Sequence, residues 1–127
     1  MTSTSKTKTP QATSPASNDR TSRIRHLNDM LRRLPVPPFG QLVITAGIDA
    51  LDAHEQAAIL AKVGRFDEFT PDNDPHGEHD FGALDHNGAR YFWKIDYYDL
   101  AMAMHSPDAA DPKVTKRVLT VMRADEY

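Results

Sequence analysis

Residues 69–99, FTPDNDPHGEHDFGALDHNGARYFWKIDYYD, decide how this chain folds. Asn87-Gly88 lies between two strand-like runs. A type I′ turn needs positive φ at both central residues, which Asn and Gly tolerate. The reading therefore pairs 79–85 with 90–98. With Asn87 and Gly88 at the tip, Asp85 faces Arg90, Ala83 faces Phe92, Phe81 faces Lys94 and His79 faces Asp96. On the other side Leu84 meets Tyr91, Gly82 meets Trp93, Asp80 meets Ile95 and Glu78 meets Tyr97. A longer loop over Asp85–Gly88 would change these partners but not the faces, because side chains alternate with period two. One face collects Leu84, Tyr91, Trp93, Ile95 and Tyr97, with Gly82 leaving room for the indole, and is expected to lie against helices. The other carries His79, Lys94, Asp96, Asp85 and Arg90 around Phe81 and Phe92 and reads as the wetter side.

Upstream, residues 1–20 are Ser, Thr and Pro with almost nothing to bury, so a disordered tail is expected there rather than a targeting segment. Thr21 or Ser22 then caps a helix to about Arg33, with Ile24, Leu27, Met30 or Leu31, and Leu34 on its apolar side and Arg25 and Arg32 on a solvated one. Pro35, Pro37 and Pro38 end it. Gln41–Ala46 is a β-branched run that predicts a buried strand, stopped by Gly47. Asp52 caps a second helix with Glu55 at the capping-box position, and Ala57, Ile59, Leu60, Val63 and Phe66 are its candidates for burial. Downstream of the hairpin, Leu100–Met104 fits strand or helix equally, Ser106–Asp108 and Asp111-Pro112 are turn signals, and Thr115–Ala124 has apolar residues on both alternating faces, as an interior strand does. The expected fold is α+β: a small, mainly antiparallel sheet of about four strands with two helices on one face, forming a single domain over 21–127.

Composition bounds the function. A chain of 127 residues that is 39% hydrophobic and 26% charged suits one small domain, and no apolar run approaches the roughly 20 residues of a membrane span. Without cysteine there is neither disulfide nor thiolate metal site, which fits the cytoplasm. Residues 1–40 carry seven Lys/Arg against Asp19 and Asp29, a net +5, whereas the rest stands at −8. A basic arm thus precedes an acidic body.

Three groups carry candidate chemistry. His76, Glu78, His79 and Asp80 supply imidazole and carboxylate ligands for a divalent metal, the only cofactor considered, although His at i and i+3 in an extended segment points its rings apart. His79 opposite Asp96, with Lys94 nearby, could act in general acid–base catalysis, the carboxylate orienting the imidazole and the ammonium holding an oxyanion. The aromatics Tyr91, Phe92, Trp93, Tyr97 and Tyr98 could stack bases, but the acidic surroundings disfavour nucleic acid. Cysteine-nucleophile, Gly-x-Ser-x-Gly and phosphate-loop enzymes are excluded by the absence of their motifs.

The blocks DNDPHGEHDFG, FWKIDYYD, SPDAADP and RVLTVMRADEY resemble an uncharacterised bacterial family of small proteins, a domain of unknown function found largely in alphaproteobacteria and their plasmids. The resemblance covers about Arg23–Tyr127 and implies a cytoplasmic bacterial protein, with no activity or catalytic residues to carry over. The leading expectation is a non-enzymatic interaction or regulatory domain that contacts another protein, or a second copy, through Asp72, Asp74, His76, Glu78, His79 and the adjoining sheet face. The alternatives are a hydrolase or nuclease using His79 and Asp96, with or without metal, and an acidic inhibitor that imitates nucleic acid.

Overall fold

A computed structural model describes residues 15–127, with side chains from residue 19 onward. Most of the expected tail, residues 1–14, lies outside the described residues. Helix α1 spans Pro15–Arg33, beginning ahead of the caps expected at Thr21 or Ser22. Strand β1 is Gln41–Ile44, followed by a single helical turn, α2, at Ala46–Asp49, where only a stop was expected. Helix α3 is Ala53–Gly64, capped as expected by the Asp52 carboxylate, which accepts the Glu55 N–H at 2.8 Å. Strands β2 (Phe81–His86) and β3 (Ala89–Tyr98) form the hairpin, and β4 is Lys116–Arg123. A 3-10 turn at Pro112–Val114, capped by Asp111, leads into β4, and another at Ala124–Glu126 follows it.

The four strands form one mixed sheet in the order β1-β4-β3-β2. The β2–β3 ladder has the expected register, Phe81 opposite Lys94, Gly82 opposite Trp93 and Asp85 opposite Arg90. Asn87 and Gly88 both have positive φ, 49° and 79°, as the tight reversal requires. β4 runs antiparallel to β3 and parallel to β1, so the sheet is mostly but not wholly antiparallel. Its interior position explains why nearly all of it is buried, Arg117, Val118, Leu119, Val121 and Met122 together. β1 is a correction: it is an edge strand, with Gln41 and Val43 exposed, because only one neighbour pairs with it.

All three helices lie on one side. Ile24 and Leu31 of α1, Ile48 of α2, and Ile59 and Val63 of α3 close over Trp93, Ile95, Leu119 and Val121 in a single core. Two helix assignments are corrected. Ala57 is exposed, and Arg32, expected on a solvated face, is only 3% exposed. Among the described residues no helix is long and apolar enough to cross a membrane.

Gly82 is required by packing. A Cβ there would meet the Trp93 indole, 2.6 Å from Cε2, and Trp93 is fully buried and cannot retreat. Gly82→Ala is expected to lower stability by roughly 1–3 kcal/mol, as overpacking of a filled core does. Urea denaturation followed by Trp93 fluorescence measures it, and an unchanged midpoint would contradict this packing.

Candidate functional site

The acidic, histidine-rich stretch 67–80 lies between α3 and β2, and α1 holds it by four successive side chains on one helical stripe. Arg25 donates from Nε to the Gly77 carbonyl at 2.7 Å. Asn28 donates from Nδ2 to the Glu78 carbonyl at 3.0 Å. Asp29 lies 2.9 Å from Nδ1 of His79 and 2.6 Å from Nη2 of Arg32. Nη1 of Arg32 donates to the Val63 and Phe66 carbonyls at 2.8 and 3.0 Å, satisfying the end of α3. Positions 25, 28, 29 and 32 recur at three and four, so one face of a helix meets one loop.

Within the loop, turns are made by side chains. Asn73 Oδ1 accepts the Thr70 N–H at 2.8 Å and Asn73 Nδ2 donates to the Glu68 carbonyl at 2.9 Å. Asp74, buried, accepts the His79 N–H, which helps hold His79 at a φ of 57°. That left-handed residue ends the extended run, so β2 begins at Phe81 and not at His79. The His79 ring turns to the helix side, where it stacks on Phe69 with centroids 3.6 Å apart and its Nε2 lies 3.8 Å from Asp74.

The expected His79–Asp96 pair is therefore a correction. Asp96 alternates to the opposite face of β3 from Trp93 and Tyr97, and there it pairs with Lys94 at 2.9 Å. Hydrogen bonding to Asp96 raises the Lys94 pKa despite partial burial. The structure brings Lys94 and Asp96 together and leaves His79 with Asp29. The four metal candidates are likewise not gathered. His76 is exposed, the Glu78 carboxylate accepts the Tyr97 hydroxyl at 2.9 Å, and His79 is engaged by Asp29. Burial and the Glu78 charge raise the Asp80 carboxyl. Among the described residues no cluster of three or more His, Asp or Glu side chains is placed to hold a metal. Of the expected contact residues, Asp72 and His76 are exposed, whereas Asp74, Glu78 and His79 face inward.

Sequence reasoning missed a second buried polar chain. Nε of Arg117, on β4, donates to Asn28 Oδ1 at 2.7 Å, and its Nη2 donates to the Ala109 carbonyl. Asn28 Nδ2 donates to the Tyr97 hydroxyl at 2.8 Å. Burial lowers the Arg117 pKa and raises that of Tyr97. The alternation of β4, which places Arg117 in phase with Leu119 and Val121, was the available signal.

The opposite face of the sheet carries no helix. There the rings of Phe81, Phe92 and Tyr127 form a triangle, with centroids 5.4, 5.5 and 6.1 Å apart, and Tyr127 is 77% exposed. Val43 continues this surface to the free edge, and Val118 and Met122 form its floor.

A family model described as "Protein of unknown function (DUF3768)" matches residues 44–126. No curated protein and no solved structure matches the chain.

The loop clamp predicts an acid limit to stability. Burial would raise the Asp29 carboxyl, but the hydrogen bonds from Arg32 and His79 outweigh it and hold the group below its ordinary 3.8. A depressed carboxyl stabilises the fold above its unfolded value and loses that contribution as pH falls through its folded one, so the loss sets in below 3.8. Asp29→Asn should cost roughly 1.5–3 kcal/mol at neutral pH and flatten this acid limb. His79→Ala should lower the melting temperature by roughly 5 °C or more. Denaturation series from neutral to acid pH check both, and a parallel acid limb in Asp29→Asn would refute the clamp.

Proposed function

The chain belongs to the DUF3768 family, and we propose that it acts as a non-enzymatic interaction domain whose contact surface is the helix-free face of the sheet. The observation that supports this is the division of labour between the faces. Asp29, Asp74, Glu78, His79 and Arg117 are spent on internal bonds, which leaves no free nucleophile–base pair among them. The opposite face has three rings, Val43 and the neutralised Lys94–Asp96 pair turned outward.

Such a surface, apolar at its centre and charged at its margin, matches the anatomy of a protein contact, where aromatic anchors supply most of the energy. The partner is another protein in the bacterial cytoplasm. A nucleic-acid strand fits less well, because the face has one lysine held by an aspartate and the body around it is acidic. The loop 72–80 serves this surface indirectly: it locks the start of β2, and with it Phe81, in place. Its outer residues Asp72 and His76 remain available to a bound partner.

Affinity capture from the native cells separates the possibilities. The wild-type chain should retain a stoichiometric partner, and Phe92→Lys or Tyr127→Ala should release it with the melting temperature changed little. Equal capture by both variants would refute the proposed face. Loss of capture on Asp72→Ala or His76→Ala alone would move the contact to the loop.

A further inference from the structure

On the helix side, away from the face just described, a groove of about 810 Å³ runs between α1, the proline segment and the start of β1. Its walls are Leu27, Met30, Pro35, Phe39, Leu42 and Leu100. The only charged residues lining it are Lys116 and Arg117, with no carboxylate, although residues 41–127 carry a net −8. The Arg117 guanidinium is turned inward to Asn28 and Ala109, which leaves Lys116, exposed and without an ion pair among the described residues, as the groove's free charge.

The edge strand beside this groove is unpartnered. The Thr45 N–H donates to the Val121 carbonyl across the β1–β4 ladder. In a parallel ladder the residues that bond to the neighbour alternate, so Gln41, Val43 and Thr45 turn their backbone to β4, and Leu42 and Ile44 turn theirs outward. β1 has no bulge, no charge and no proline, the usual devices that keep an edge from pairing. The opposite edge, β2, is guarded differently: it carries Asp85, and Lys62 of α3 donates to the Asp85 carbonyl at 3.0 Å.

We propose that β1 and this groove form a docking site for an extended peptide segment of a partner protein, apolar at alternate positions and carrying an Asp or Glu side chain that meets Lys116. The peptide adds a strand to the sheet through the outward N–H and C=O groups of Leu42 and Ile44. Its apolar side chains enter the groove, and its acid is drawn by the one free cation there. Backbone bonds give affinity without sequence preference, and the groove and Lys116 supply the selection.

The test is selection of a phage-displayed library of random dodecapeptides on the full chain, followed by fluorescence polarisation with the enriched peptide. The expected consensus alternates apolar residues and contains Asp or Glu. Lys116→Glu should weaken binding about five- to tenfold. N-methylation of the peptide amides that would meet the strand edge should weaken it about tenfold or more with the protein itself unaltered. Failure to enrich, a lysine- or arginine-rich consensus, or equal binding of the N-methylated peptide overturns the proposal. So does sedimentation showing that the free chain dimerises and that Ile44→Pro, which removes an outward N–H, returns it to monomer, because a second copy would then be the occupant.

Discussion

The guanidinium of Arg32 is the joint on which the helix layer closes. It sits in the last turn of α1, donates to the carbonyls at the end of α3, pairs with Asp29, and lies 4.9 Å from the Trp93 ring and 5.3 Å from that of Phe69. Such a charge cannot be buried unless its hydrogens are placed and its field is answered. Here two carbonyls, one carboxylate and two ring faces do so, with Nε alone left without a partner. Removing any one of these leaves a cation in the core, so α1, α3 and the hairpin are held in one mutual arrangement.

The same constraint accounts for the use of the acidic loop. Asp29 serves Arg32 and His79 at once, and His79 is then committed to the helix side by its stack on Phe69. A histidine with carboxylates near both ring nitrogens suggests catalysis when seen in sequence. In three dimensions it is a fastener between a helix and a loop. The groups available to the outside are mostly apolar: the ring triangle on one face and the groove by β1 on the other.

Much of the fold was legible because its signals are local. Asn87-Gly88 set the reversal, period two set the faces and Asp52 set the start of α3, and each depends on neighbours within a few residues. What stayed hidden depends on partners far along the chain. Arg32 looks solvated until Val63 and Phe66 are brought to it, and Arg117 looks like one more surface charge in TKRVLTVMRA until Asn28 reaches it from 89 positions away. His79 was assigned to the wrong face because the alternation was extended two residues past its physical end. A left-handed φ, set by the Asp74 carboxylate, breaks the period there, and nothing in the local pattern marks the break. The edge position of β1 was equally unreadable, since QLVI fits an interior or a terminal strand until β4 is placed beside it.

The order β1-β4-β3-β2 has a consequence for how the chain is made. The strand at the middle of the sheet follows the other three in synthesis. The β2–β3 ribbon can close on itself as it leaves the ribosome, but β1 has no neighbour until β4 is released. During that interval an uncharged QLVI segment is bare, and a parallel pairing across more than seventy residues is among the slower contacts to form. The nascent chain is thus most exposed to mispairing in the moments before its last strand arrives, and a chaperone that shields an extended apolar segment would act on β1 first.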